Sequence, residues 1–352
     1  MTAMEKKTTR TQPAPAVRPG AGRAEMGVSV VLVAYYGDEW LPACLDSLVE
    51  ASTRGVHLVL VDNAGNTILD ALQRDRFDHE VIKTPRPMGF AEANNYALAH
   101  AARLEETVLF LNQDTLSQPG WIDRCLACLA RAENLGAVSP LIHTYDGSGW
   151  DPGFLACLPS EEALRALASS DPEEGAWRYT DLASAPALIV RTDVLRRTGP
   201  FDPVFGSYYE DYDLCRRIRA AGYAIAFCGA ARINHYAGST TNTPARERKR
   251  MRQILRNRLL YALRASSRPR LSGLAGHVLI DLPRRLARGL LRTPSSQPPL
   301  VVLQAQGDLL RIAGRVVSRR LDERAWQSYL DEMGWPHRIP GLASSTPADQ
   351  YA

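Results

Sequence analysis

Residues 208–217 read Tyr208-Tyr209-Glu210-Asp211-Tyr212-Asp213-Leu214-Cys215-Arg216-Arg217, three carboxylates within four positions, flanked by tyrosines and followed by two arginines. Leu214, Ile218 and Ala221 recur at helical spacing and Gly222 is placed to stop the helix. The acids therefore fall at a helix N-terminus, where the macrodipole favours negative charge. Two readings stay open on these residues alone: a carboxylate site, or the acidic first turn of an ordinary helix.

Three further side chains have types that could do chemistry. Asp62 ends an apolar run, where a carboxylate accepts hydrogen bonds from a ribose hydroxyl or base N–H, or makes an Asx turn. Asp114 closes Asn112-Gln113-Asp114 after Val108–Leu111, a place that suits Mg²⁺ or Mn²⁺ held mostly by phosphates and water, or a plain turn. His235, between Asn234 and Tyr236, is either a hydrogen-bonded structural group or a metal ligand.

The elements that must position these residues alternate. Val28–Tyr35, Leu58–Asn63, Val81–Thr84 and Val108–Leu111 are apolar runs of strand length, as in a parallel sheet covered on both faces. Helices are expected over Trp40–Leu48, Ala91–Arg103 and after Pro119, and Ala137–Ile142, Leu188–Val190 and Ile225–Phe227 resume strands. The fold class is thus α/β, a Rossmann-like, mostly parallel sheet flanked by helices. Ligands in such sheets bind at the carboxyl ends of the strands, where Tyr35, Asp62, Asn63, Asn112, Gln113 and Asp114 gather. Residues 144–181 read as a surface excursion over the acceptor side.

Composition bounds the rest. With 352 residues, 45% hydrophobic and 23% charged, the chain can bury a large core as a soluble globular protein. Its net charge of +4 is unevenly spread: residues 244–352 carry 20 Lys/Arg against 8 Asp/Glu. The expected organisation is a tail over 1–26, a catalytic body over 27–243 and a basic helical C-terminal region over 244–352. Basic-apolar stretches such as Leu279–Leu291 suit either membrane-surface helices or an appendage packed on the body. Nothing resembles a nucleic-acid motif. Six cysteines in apolar patterns read as buried thiols of a cytosolic protein, and Cys125-Leu126-Ala127-Cys128 lacks the second pair of a zinc site. Residues 1–26 have no apolar signal core and no run is long enough to span a bilayer, so a cytoplasmic protein, peripheral at most on the inner membrane face, is expected. The absence of G-x-G-x-x-G after the first strand argues against a dinucleotide enzyme.

In order, these motifs resemble family 2 glycosyltransferases, in particular their rhamnosyltransferase-like branch. The resemblance spans about residues 28–241. It rests on Val28–Tyr35, Val61-Asp62-Asn63, Met88-Gly89-Phe90-Ala91 with Asn94-Asn95, Leu111–Thr115, Gly199-Pro200-Phe201-Asp202 with Phe205, Glu210–Cys215 with Arg217 and Gly222, and His235 with Gly238-Ser239. It implies a GT-A fold, a nucleoside-diphosphate sugar donor (dTDP- or UDP-linked), a divalent metal (Mg²⁺ or Mn²⁺) and inversion at the anomeric carbon. By position, Asp62 would bind the nucleoside. Ala34, Tyr35, Gly89, Asn94, Asn112, Gln113 and Arg217 would complete the nucleotide-sugar site, Arg217 also supporting the acidic element. Asp114 and His235 would hold the metal. Asp211 would be the general base with Glu210 beside it, and Asp213 structural. The acceptor would be a glycan, a lipid-linked glycan or a small metabolite.

Two positions depart from the family pattern. Asn112 stands where the first acid of D-x-D is usual, and Ala185-Pro186-Ala187 stands where Gly-Ala is usual. A catalytically inactive nucleotide-sugar-binding protein of the same fold is the competing reading. Nucleotidyl transfer lacks its Gly-rich basic phosphate loop.

Overall fold

In the computed structural model, residues 26–63, 65, 76–158, 160–168, 177–236, 243–265, 270–291 and 298–335 are described. The apolar runs form β1 (Val28–Ala34), β2 (His57–Asp62), β3 (Asp78–Lys83) and β4 (Thr107–Asn112), all parallel. Every residue of β2 is buried, as strands covered on both faces require. The short β5 (Thr115–Ser117) follows, then β6 (Leu135–Thr144), β7 (Trp177–Thr180), β8 (Ala187–Arg191) and β9 (Ala224–His235). Their order is β3-β2-β1-β4-β8-β6-β9-β5, with β7 also on β9. β8 runs antiparallel to both β4 and β6, so the sheet is mixed in its second half. The strand begun at Ile225–Phe227 continues through Ile233-Asn234-His235, its register against β6 shifting between Pro140 and Leu141.

Helices α1 (Leu41–Leu48), α2 (Phe90–His100), α3 (Trp121–Ala130), α4 (Pro152–Cys157), α5 (Glu161–Ala168), α6 (Thr192–Thr198) and α7 (Glu210–Ala220) connect the strands. The Cys125–Cys128 pair lies in α3, and all six thiols are buried and free. Parallel register sets Ala34 beside Asp62 and Val33 beside Asn112, so β1, β2 and β4 end at one level. The expected ligand-facing edge is therefore a physical feature of the sheet.

The basic C-terminal region begins with α8 (Pro244–Ala265) and α9 (Arg270–Gly276). One π turn, His277–Asp281, leads into α10 (Leu282–Leu290), followed by α11 (Pro299–Arg311), α12 (Ala313–Val317) and α13 (Arg319–Glu332). Part of the region packs on the body. Arg264 of α8 is buried and pairs with Asp202 (2.8 Å), Asp213 (3.3 Å) and Asp322, while Arg315 bridges Asp202 (2.9 Å) and Asp322 (3.0 Å). The hydroxyl of Tyr329 in α13 accepts from Asn95 Nδ2 of α2 (3.0 Å). Among the described residues no helix is long and apolar enough to cross a membrane. Residues 1–25 and Gly238-Ser239 lie outside the described residues.

Removing Arg264 would leave Asp202, Asp213 and Asp322 each one partner short, although Arg315, Arg216 and Arg217 still reach them, and breaking one side of a buried ion pair costs about 3–5 kcal/mol. Arg264→Met is expected to lower urea-unfolding stability by about that amount. A loss below about 0.5 kcal/mol, the size of a surface substitution, would mean that α8 does not brace the body.

Candidate active site

The acidic element starts with an unusual turn. Tyr208 and Tyr209 have φ of +69° and +73°, left-handed values that side chains with a Cβ rarely adopt, directly before Glu210 at the first position of α7. The surrounding structure must hold such a turn in place. Asn257 of α8, fully buried, donates to the carbonyls of Phe205 (2.8 Å), Ser207 (2.8 Å) and Tyr208 (2.6 Å). Gln253 and Arg256 donate to Phe205 as well, and Arg256 to Val204. Gly206 (φ +70°) lets this turn press on α2: its carbonyl accepts from Ala91 N (2.8 Å). A Cβ on Gly89 would sit only 3.2–3.3 Å from Gly206 backbone atoms, so Gly89 serves this close approach.

The three carboxylates at the head of α7 have different surroundings. Burial would raise Asp213, but Arg216, Arg264 and Arg217 pull it well below the carboxylate range; its partners make it structural. Glu210 is buried, and burial together with the neighbouring Asp211 charge pushes its carboxyl well above the ordinary range. Its Oε2 has no hydrogen-bond partner. Asp211 is raised to about 6 by burial, offset in part by backbone N–H groups. Those N–H groups belong to Tyr212 (2.8 Å) and Ala185 (3.1 Å). Such a pair divides into a proton-holding acid and an ionised neighbour near neutrality.

The divergent Ala185-Pro186-Ala187 segment joins the two ends of the site. Ala185 N holds Asp211, and Pro186 O accepts from Asn112 N (2.9 Å) at the end of β4. Asn112 Nδ2 lies 3.3 Å from His235 Nε2, and Asp114 Oδ1 lies 3.4 Å from the same nitrogen. His235 Nδ1 meets Asp151 Oδ2 at 3.0 Å, while Asp151 Oδ1 caps α4 at Phe154 N. Burial would lower the imidazole, but Asp114 and Asp151 raise it to about 9. Asp151 thus orients the ring so that Nε2 faces Asp114, the support that metal-ligating histidines have. Trp40 packs on Tyr236 (4.1 Å between ring centres, rings tilted by 32°) beside this end, with Tyr145 edge-on. Among the described residues no three His, Cys, Asp or Glu side chains form a ready-made metal cage.

On the donor side, Asp62 is buried at the end of β2, and Ala34 stands beside it with its carbonyl accepting from Asn63 N (3.0 Å). Tyr35 is 41% exposed, while its backbone is fixed by Gln113, whose amide both accepts from Tyr35 N (2.8 Å) and donates to Tyr35 O (2.9 Å). Gln113 therefore acts as a clamp between the ends of β1 and β4. Asn94 is buried in α2 and bonds back to Phe90 O (2.9 Å). Arg217 is not turned to a ligand: its guanidinium is buried on Asp213 and on the carbonyls of Thr198, Gly199 and Pro200.

Sequence reasoning missed Asp151 and Asn257. Asp151-Pro152-Gly153 has the look of a helix cap, which it is, and nothing local marks its second oxygen as the partner of His235. Asn257 sits among arginines and leucines of an exposed-looking helix, and only the fold puts the strained turn against it. Asn63 clamps Met88 through both amide ends, positioning the lead-in to Gly89.

A model of the family described as "Glycosyltransferase like family 2" matches residues 25–255. The N-acetylglucosaminyl-diphospho-decaprenol L-rhamnosyltransferase of Mycobacterium tuberculosis is 27% identical over 242 residues, 61% of this chain and 78% of the relative. Among solved structures, the mannosyltransferase PcManGT of Pyrobaculum calidifontis, in complex with GDP-Man and Mn²⁺, superposes with a TM-score of 0.52. It is 16% identical and covers 92% of this chain and 88% of its own. S. aureus TarS 1–349 gives a TM-score of 0.50 at 18% identity, over 87% of this chain and 85% of its own. The fold is that of GT-A glycosyltransferases, and the chain belongs to the family 2-like glycosyltransferases.

Proposed function

We propose that the protein is an inverting, divalent-metal-dependent glycosyltransferase. It moves L-rhamnose or a related deoxysugar from a dTDP- or UDP-linked donor to a hydroxyl of a lipid-linked glycan. The observation that carries this reading is the Glu210-Asp211 pair, with Asp211 raised to about 6 and tied through Ala185-Pro186 to Asn112, next to Asp114 and His235. The name of the mycobacterial relative supports the rhamnose donor and the lipid-diphosphate acceptor.

An acceptor hydroxyl is a poor nucleophile. Asp211, ionised above pH 6 or so, takes its proton as the new C1–O bond forms. The C1–O bond to the diphosphate breaks on the opposite face, so configuration inverts and the electron pair leaves with the diphosphate. Glu210 stays protonated, which keeps a second negative charge from opposing the ionised base. Asp62 and the exposed Tyr35 hold the nucleoside end. Asp114 would hold a Mg²⁺ or Mn²⁺ that takes most of its ligands from phosphate oxygens and water, and His235 Nε2 would join it once the imidazole gives up the proton that Asp114 and Asp151 keep on it. Bound there, the ion would neutralise charge growing on the leaving diphosphate.

Asp211→Asn is expected to lower transfer by roughly 10²–10⁴-fold while the nucleotide still binds; unchanged turnover would remove Asp211 as the base. The pH dependence follows from a raised carboxyl. The folded protein prefers the protonated form, so this group favours folding at low pH, and its contribution falls away as pH climbs from about 4 through 6. Activity runs the other way: kcat/KM should rise about tenfold per pH unit below about 6 and then level off. A flat profile from pH 4.5 to 7 (about the range around that value) would contradict the assignment. Chelation with EDTA should abolish transfer and Mn²⁺ or Mg²⁺ restore it, and His235→Ala should weaken Mn²⁺-dependent nucleotide binding measured by calorimetry. Full activity in EDTA would remove the roles of Asp114 and His235.

A further inference from the structure

The helix that runs from the π turn through α10 presents an apolar stripe to solvent. Leu279, Pro283 and Ala287 follow one another at four-residue steps, Leu290 and Leu291 lie three and four residues beyond Ala287, and all are exposed. Leu279 and Leu290 are each 74% exposed and Leu291 75%. The neighbouring α11 repeats the pattern with Leu300, Leu303 and Leu310 outward, while Val301, Val302, Ala305 and Leu309 are buried. Arg284 and Arg288, both exposed, flank the α10 stripe. Single exposed leucines are ordinary, but a run of them along two packed helices is not.

The geometry points to this face docking on an anionic phospholipid surface, with the leucines in the acyl boundary and Arg284 and Arg288 at the headgroups. An apolar stripe bordered by arginine is what interfacial helices present to lipid. Two other occupants fit less well. A second copy meeting this stripe about a twofold axis would set Arg284 and Arg288 close to their own counterparts, a like-charge contact. The segments 1–25 and 336–352 carry only Val17, Ile339 and Leu342 as branched aliphatic residues, too few for an apolar counter-stripe.

The placement also bears on the proposed acceptor and to that extent rests on the glycosyl-transfer reading. Burial raises the Tyr209 phenol, and the charges of Arg258 and Arg285 act against it. Arg285, half-buried on α10, is thus near the residue just before Glu210. A bilayer on the outer side of α10 would deliver a lipid-linked acceptor to the end of the site that holds Asp211.

The test is co-sedimentation of the full chain with phosphatidylglycerol-containing vesicles, compared with pure phosphatidylcholine vesicles, in the absence of donor and acceptor. Binding is therefore read independently of any sugar transfer. The intact protein should sediment with the anionic vesicles and release in high salt. Leu290→Asp with Leu291→Asp should weaken binding by roughly tenfold or more, and Arg284→Glu with Arg288→Glu by about fivefold per charge, with thermal midpoints unchanged. The proposal is overturned if the intact protein does not sediment with anionic vesicles, or if both double variants bind as it does. It is equally overturned if light scattering shows a dimer that the leucine variant dissociates.

Discussion

Asp213 is fully buried and remains ionised because Arg216, Arg217 and Arg264 surround it. A charge in that position without partners would be costly by several kcal/mol, so these arginines have little freedom to move. Arg217 reaches on to the carbonyls of Thr198, Gly199 and Pro200, and Arg264 to Asp202 and Asp322. One carboxylate therefore locks together α7, the Gly199–Asp202 loop, α8 and α13. The other two acids, Glu210 and Asp211, inherit their positions from that lock.

The turn before α7 has the complementary constraint. Two consecutive left-handed tyrosines store backbone strain of order 1–3 kcal/mol each, which only persists where neighbours over-determine it. Asn257 supplies that restraint with an amide aimed at three carbonyls, and Gly206 and Gly89 meet on the other side. The basic C-terminal region thus takes part in building the acidic element. The boundary between body and C-terminal region near residue 243 is one of composition, crossed by buried ion pairs.

The two halves of the site are joined by backbone. Ala185-Pro186-Ala187, where the family pattern has Gly-Ala, carries the link: one residue holds Asp211 and the next holds Asn112. Asn112 itself, standing in for an acid, faces His235 with an amide, and Asp151 supports the imidazole from behind. An extra carboxylate is thus supplied to the histidine from a loop after β6, at a position well removed from the D-x-D run.

The parallel strands β1, β2 and β4 were legible because apolar runs buried on both faces have no polar alternation to confuse them, and their shared C-terminal edge follows from parallel pairing alone. The ordered motifs also mark Asp62, Asp114, Glu210 and Asp211 as acids at element ends, and the structure places them at the end of β2, just past β4 and at the start of α7. What periodicity could not show was how individual polar groups are satisfied. Resemblance puts Gln113 and Arg217 at the nucleotide-sugar site, with Arg217 also supporting the acidic element; in the fold Gln113 clamps the Tyr35 backbone and Arg217 holds Asp213 and the carbonyls of Thr198–Pro200, because those groups come within reach only once the strands and loops are assembled. Asp151 and Asn257 lay hidden for the same reason, each finding its partner across more than 45 residues of chain. Local sequence determined the strands, the helix starts and the types of acid available; tertiary structure decided which acid is paired with arginines and which carboxyls burial pushes above the ordinary range, because ionisation depends on burial and on partners that only the folded chain brings together.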